Sequence, residues 1–501
     1  MIRRLRSRHG QTATGLGMTG NKLFKITATI LIAAVCIAAV LYALWSQGCF
    51  LPRWIIWENK KICDESGEYE IVLQNKTVTV LYEEAEAWTS PEGVRVQDVL
   101  SCDIDGDKAD ELVLLCWKIG RYGRHKPFWV EKDEQSWSQH IFVYEYAQKQ
   151  VQPKWMSSYI GQEVFKISVN RENPPLNRLL LTDSEGNVSS WIWDFWGFTK
   201  EDTEVSFVVF GDNLIHEPIY RYGLQKEKSF DFLYENIKDV ISESNIAVIN
   251  QETPFVEDPA MYHDFPRFGT PVSVGEAIVN AGFDVVTCAT NHALDRGAYG
   301  IGVTRDYFAS QGVLCLGIQK EEDTVYKPYE ILVKKGIRFA LLNYSYGTNG
   351  IPLPEENPNM VHLLEDEDKI REDIGRARSE ADFVIVFVHW GTENSEQPDA
   401  EQQKWAQVFL DSKADVVVGT HPHALQPCEI MVGEDGHEML VYYSLGNYIS
   451  AQSEKTCVKG GMASFTVGLT EEGYRIIEYD MQPLQITWNE ESTYEVDFIE
   501  N

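Results

Sequence analysis

Five short polar segments, each closing an apolar run that reads as a buried strand, constrain this chain more than any other feature. They are Gly211-Asp212 with His216, Asn250-Gln251-Glu252, Asn291-His292 with Asp295, His389-Trp390-Gly391-Thr392-Glu393, and Gly419-Thr420-His421-Pro422-His423. Acid, amide and imidazole groups so far apart in sequence meet only if the strands bearing them lie side by side. The pattern predicts strands at 205–210, 246–249, 284–288, 313–316, 383–388, 416–418 and 440–443, with helices at 229–242, 274–281, 299–311, 368–379 and 402–412. Alternation of this kind predicts an α/β layered domain. Its polar motifs fall at strand C-terminal ends, where open α/β sheets bind ligands.

The region 67–198 reads differently. Runs such as Thr77-Val78-Thr79-Val80-Leu81 and Ile141-Phe142-Val143-Tyr144 are separated by turn residues without helical periodicity, which predicts a small all-β domain. Trp191, Trp193 and Trp196 close it, as a packed core or domain interface or as an aromatic binding face. Within it, Asp103-Ile104-Asp105-Gly106-Asp107-Lys108-Ala109-Asp110-Glu111 sets carboxylates at alternate positions around a glycine turn. Alternation lets several oxygens converge on one hard cation, so Asp103, Asp105, Asp107 and Glu111 are candidate calcium ligands; the other reading is a solvated acidic turn. The loop is similar to the calcium loops of FG-GAP-type propeller repeats.

The N-terminus carries the targeting signal. Arg3, Arg4, Arg6, Arg8, Lys22 and Lys25 precede an uncharged apolar run over 26–45. At ~1.5 Å per residue the run is about 30 Å long, enough to cross a bilayer core. The organisation expected is a basic cytoplasmic tail (1–25), a transmembrane helix (26–45), a linker (46–66), the β domain (67–198), the α/β domain (204–485) and a C-terminal tail (486–501). The basic flank keeps the N-terminus cytoplasmic and places both domains outside the cell, with a cleaved signal as the alternative. The nine cysteines, with no CxxC pair, argue against a structural zinc knuckle. A net charge of −32 excludes general nucleic-acid binding.

Chemically, the five segments suit one or two divalent metal ions. Asp212 and Glu252 can supply carboxylates, Asn291 an amide oxygen, and His389, His421 and His423 imidazoles; the donor set does not separate Mn, Zn, Fe and Mg. The two-residue spacing turns His421 and His423 toward one side of an extended segment. Asp295 or Glu393 could orient a histidine, Trp390 is expected to wall the pocket, and His216 and His362 are as readily structural as functional.

Together with Phe210-Gly211-Asp212, Ile249 to Pro254, Ala289 to Asp295, Gly419 to Gln426 and Tyr443-Ser444-Leu445-Gly446-Asn447-Tyr448, these motifs resemble the CapA (PgsA) family of capsule and poly-γ-glutamate synthesis proteins over about residues 204–485. That family is similar in turn to calcineurin-like metallophosphoesterases. The resemblance implies a metallophosphoesterase-like fold and His292 as the proton donor to a leaving group. It also implies a place in capsule or poly-γ-glutamate production or export, with an anionic polymer and other membrane subunits as partners. Two classes stay open: a membrane-anchored metal-dependent hydrolase, and a non-catalytic metal- and polymer-binding assembly subunit. The chain departs from the phosphoesterase Asp-x-His pattern, because His216 lies four residues beyond Asp212, and Glu252 stands where a second Asp is expected. Both departures imply that one of the two metal positions is weak or absent.

Overall fold

The computed structural model describes residues 20–122, 128–170, 177–225, 229–323, 325–470, 473–489 and 493–499. The arginines of the N-terminal tail lie outside these residues. The chain divides into two compact units, Met1–Asn187 with Trp191–Lys200, and Val188–Ser190 with Glu201–Asn501.

The first unit begins with the helix Gly20–Ser46, whose segment Thr27–Ser46 is long and apolar enough to cross a membrane and is not buried by protein. Three four-stranded antiparallel sheets follow, each a simple meander: Lys60–Cys63 through Ala85–Thr89, Arg95–Cys102 through Gln150–Met156, and Val164–Asn170 through Gly197–Lys200. Strand alternation sends Ile71, Val80, Leu112 and Leu114 into the core shared by the first two sheets, and Val113, Leu115, Ile167 and Leu179 into that shared by the last two. The expected linker therefore ends early, since Lys60–Cys63 already pairs with Tyr69–Gln74. Trp191 and Trp193 pack against the third sheet's core, whereas Phe195 and Trp196 are exposed.

The second unit is built on two sheets. The first runs Leu314–Leu316, Val285–Thr287, Ile246–Gln251, Val205–Asn213, Lys459–Thr470, Gly473–Trp488 and Tyr494–Phe498, with Asn447–Ile449 also beside Val205–Asn213. The second runs Tyr329–Lys334, Ile337–Ser345, Phe383–His389, Val416–Thr420, Glu438–Tyr442 and Cys428–Val432. Phe207, Val209 and Val248 of one sheet meet Phe339, Leu341, Ile385 and Val418 of the other. Their alternate neighbours face outward. Phe210 and Ile249 pack under Ile278, Ile301 and Phe308, and Val386, Val388 and Val417 under Ile370, Ile374 and Phe409. The result is a four-layered α/β/β/α sandwich, and strands buried on both faces account for the unbroken apolar runs.

Three expectations need correction. The motif-bearing strands do not all lie side by side in one open sheet; they divide between two sheets packed face to face, because an apolar run records that both faces are covered and not what covers them. The segment 486–501 is no tail: the strand Gly473–Trp488 reaches into it, and Tyr494–Phe498 pairs with that strand. The helix expected over 229–242 is broken into two 3₁₀ turns, Asp231–Leu233 and Glu235–Ile237, followed by the helix Lys238–Glu243. The helix Ala400–Asp411 is fixed by a capping box, in which Asp399 accepts from the Gln402 N–H and Gln402 returns the bond to the Asp399 N–H.

Candidate metal centre

All six expected ligands converge at the C-terminal ends of the parallel strands. The first sheet supplies Asp212, Glu252 and Asn291, the second His389, His421 and His423, and every one is buried. Two close backbone approaches set their positions. At Gly211 the register between Val205–Asn213 and Ile246–Gln251 shifts, and a Cβ there would collide with the Gly446 carbonyl. The irregularity turns Asp212 toward the site. At Gly419 a Cβ would strike the Tyr443 carbonyl and the Trp390 ring, so only glycine lets the strand lead into His421. His421 and His423 then adopt φ of 97° and 55°, left-handed values that non-glycine residues rarely take and that concentrate at functional sites.

Asp212 is held firmly. Its Oδ1 accepts from Asn250 Nδ2 at 2.8 Å, and its Oδ2 lies 3.1 Å from both the His421 N–H and His423 Nδ1. Asn250 thus acts through its side chain, itself held by the Thr287 hydroxyl at 2.9 Å. His389 Nδ1 is 2.9 Å from Thr420 Oγ1, and its Nε2 is 2.9 Å from Asn291 Oδ1. Asn447 Oδ1 is 3.0 Å from His423 Nδ1, and sequence reasoning placed Asn447 in a motif without giving it this role.

Glu252 is the exception. Among the described residues neither of its carboxylate oxygens has a hydrogen-bond partner, although the side chain is fully buried, and His421 Nδ1 is orphaned as well. The nearest imidazoles, His389 Nε2 and His423 Nε2, stand 3.7 and 3.9 Å from Glu252 Oε1. Ligand atoms of Glu252, His421 and His423 all lie within 4.8 Å of one another. An unpaired buried carboxylate costs several kcal/mol, on the order of the penalty for any uncompensated buried charge. Burial, with Asp212 beside it, pushes the Glu252 carboxyl well above the carboxylate range. Burial and neighbouring imidazoles push His389 and His421 well below the usual histidine value, leaving them neutral. Burial would lower His423 too, but Glu252 and Asp212 outweigh it and hold it at about 9. Neutral imidazoles at His389 and His421, beside a Glu252 carboxyl that makes no hydrogen bond, are a donor set that suits a divalent cation, whose binding would release the proton His423 holds, so the residues fit a metal.

His292 and Asp295 form a separate pair at the edge of this cluster. His292 Nδ1 is 2.7 Å from Asp295 Oδ2, which also accepts the Phe268 N–H at 2.7 Å, and the Phe268 ring packs edge-on against His292 at 4.8 Å. The two expected supporting residues differ, since Asp295 orients His292 whereas Glu393 lines the neighbouring cavity. Trp390 does not wall the pocket. Its ring is buried with Phe409 in the outer helical layer, and its N–H donates to the Tyr443 carbonyl, because the strand's alternation turns it away from the site as His389 turns in. His216 is not grouped with these ligands by distance; its Nδ1 is 2.7 Å from Asp264, and its buried Nε2 has no hydrogen-bond partner among the described residues. His362 is structural, bonded to Gln319 and kept neutral by burial, which lowers it to about 3.

In the first unit, Asp103, Asp105 and Glu111 come together but Asp107 does not join them; its Oδ1 accepts the Ala109 N–H. The Lys154 ammonium stands 2.5 Å from both Asp105 Oδ2 and Glu111 Oε1.

Residues 206–452 match the family of the bacterial capsule synthesis protein PGA_cap. Among curated relatives, the PGA biosynthesis protein CapA of Bacillus subtilis (strain 168) is 26% identical over 257 residues, covering 51% of this chain and 65% of the relative. The capsule biosynthesis protein CapA of Bacillus anthracis is 25% identical over 303 residues, covering 57% and 69% respectively. The chain thus spans just under two thirds of the first relative's length. Solved structures similar to it include the calcineurin-like phosphoesterase YfkN from Bacillus subtilis, with 12% identity, a TM-score of 0.33 and coverage of 56% of this chain and 90% of that one. The Haemophilus influenzae NAD nucleotidase is another, with 12% identity, a TM-score of 0.36 and coverage of 60% and 54%.

Proposed function

Because residues 206–452 carry a PGA_cap-type domain of bacterial capsule synthesis proteins, we propose that this chain is a membrane-anchored, extracytoplasmic protein of capsule or poly-γ-glutamate biosynthesis. Its site, on this reading, is a metal-dependent hydrolase acting on a phosphate ester or an amide-linked polymer. The observation that carries the hydrolase reading is Glu252, a buried carboxylate whose two oxygens face three imidazoles and accept no hydrogen bond.

Asp212, Glu252, Asn291, His389, His421 and His423 would hold one or two ions. A bound divalent cation supplies Lewis acidity toward a substrate oxygen and toward water. Asn250 and Asn447 fix the carboxylate and imidazole they touch, so the ligands need little rearrangement. Asp295 holds His292 through Nδ1, which leaves Nε2 as the nitrogen available to hand a proton to a departing oxygen or nitrogen. Asp264 likewise holds His216 through Nδ1, and the buried Nε2 of His216 neither accepts nor donates a hydrogen bond among the described residues. The helix Thr27–Ser46 supports the anchor, with the N-terminus cytoplasmic. An anionic capsule polymer and other membrane subunits are the expected partners.

Elemental analysis of the full chain in detergent tests the metal directly. One or two equivalents of a transition metal or magnesium are expected in the native protein and none in a His389→Ala/His421→Ala variant. His292→Ala should keep its metal and lose about 100-fold or more in turnover of a chromogenic phosphodiester. If metal is retained but His292→Ala sustains full capsule output in cells, the non-catalytic assembly subunit becomes the better account.

A further inference from the structure

Beside His292 lies a cavity of about 360 Å³ whose walls include Phe265, Arg267, Asn291, His292, Ile351 and Glu393. Asn291 and His292 join it to the metal centre, and Arg267 is the only permanent cation among its lining residues. Acidic residues outnumber basic ones 76 to 44 in this chain, yet Arg267 is exposed and forms no ion pair among the described residues. A guanidinium left without a carboxylate in so acidic a protein is free to take one from a ligand.

Its backbone, by contrast, is tightly placed. The Arg267 carbonyl accepts from Arg296 at 2.9 Å, the Phe268 N–H donates to Asp295, and Gly269 and His263 exchange backbone bonds at 3.0 and 3.1 Å. The Asp295 oxygen that anchors this segment is the one that holds His292 Nδ1. One carboxylate therefore sets the position of both the proton donor and the strip carrying Phe265 and Arg267. Such fixing lowers the entropy lost when a ligand is bound.

We infer that Arg267 receives an oxyanion of the substrate next to the bond that His292 serves, while Phe265 and Ile351 cover the apolar stretch between successive anionic groups. The inference rests on the hydrolase reading above and names its substrate class, an anionic chain. Carboxylate and phosphoryl groups offer the same paired oxygens to a guanidinium fork. Glu393 and Asp295 on the same cavity disfavour any anion not matched to Arg267.

The test is titration calorimetry on the full chain in detergent with three probes: a γ-linked tetraglutamate with its amino group acetylated and its terminal γ-carboxyl amidated, the same peptide with its four α-carboxyls also amidated (the uncharged tetra-amide), and phenyl phosphate. Arg267→Ala should weaken one or both anionic probes by roughly 10- to 100-fold, leave the tetra-amide unchanged and keep the metal content of the native protein. Arg267→Lys, which keeps charge without the fork, should recover part of the loss. The anionic probe that loses more identifies carboxylate or phosphoryl as the group bound. Equal binding by native protein and Arg267→Ala overturns the inference, as does an equal loss for the tetra-amide, or native protein that binds neither anion. Failure of the metal reading appears separately, as absent metal in the native chain, and does not alter what Arg267→Ala reports.

Discussion

The two units each gather carboxylates around a point, and they treat the resulting charge in opposite ways. In the β unit, Asp103 accepts the N–H groups of Gly106 and Lys108, Glu111 accepts that of Ile104, and Lys154 bonds Asp105 and Glu111. The cation is part of the chain. In the α/β unit Asp212 is satisfied by neighbouring donors, but Glu252 has no hydrogen-bonded donor and no lysine or arginine bonds either carboxylate among the described residues. A cluster that supplies its own counter-charge needs no ion; one that leaves a buried carboxyl without a hydrogen bond is, on the proposed reading, a place for a cation from outside. Acidic motifs alone do not distinguish the two.

The sharpest way to break this contrast is to remove the orphan. Glu252→Gln keeps size and removes charge, and metal affinity should fall on the order of 1,000-fold, read by competition with a chromogenic chelator; unchanged affinity would place the ion elsewhere. Next is Lys154→Met. Burial pushes Glu111 up to about 7 in spite of its bonds from Lys154, so loss of the ammonium should destabilise the β unit by about 2 kcal/mol at pH 8 and less at pH 5, where Glu111 takes a proton. Urea unfolding checks both values. The same experiment with millimolar calcium sharpens the comparison, because native protein should gain nothing while Lys154→Met should recover stability; a gain in the native protein would mean that calcium displaces the lysine.

A smaller effect comes from His140, which burial, aided by Lys118, lowers to about 4. The unfolded chain takes up that proton near pH 6.5 and the folded one does not, so its stabilisation is complete above 6.5 and is lost as pH falls toward 4. Glu111 acts with the opposite sign, gaining stability as pH falls from 7 to 4.5. The reading is therefore the difference between native protein and His140→Gln, expected to shrink by about 2 kcal/mol from pH 7 to pH 4. Smallest is Asp399→Ala, which removes the capping box of the Ala400–Asp411 helix. It should cost about 1 kcal/mol in thermal unfolding without changing metal content, unlike any change at Glu252.

Much of the centre was legible because strand ends are legible. Apolar runs closed by Asp212, Glu252, His389 and His421 locate the ends of buried strands, and ligands gather there whatever the sheet order. The antiparallel extension was less visible. Lys459–Thr470 and Gly473–Trp488 pair along nearly their whole length, yet Gly473–Trp488 is largely half-exposed and carries too little apolar alternation to announce itself. Arg267, Phe268 and Asp264 gave no signal either, since a loop residue acquires its role from what the fold sets opposite it.

The sequence by itself determined the apolar helix at the N-terminus, the change from β meanders to alternating strands and helices, and the six polar positions proposed as ligands. These are local properties, written in periodicity and in residue type at strand ends. Only the tertiary structure decided that the ligand strands split between two facing sheets, that His216 turns to Asp264 and Trp390 to the helical layer, and that Lys154 rather than a free acidic loop meets Asp105 and Glu111. Each depends on which distant side chain arrives within about 3 Å, a distance at which hydrogen bonding and burial outweigh any local preference.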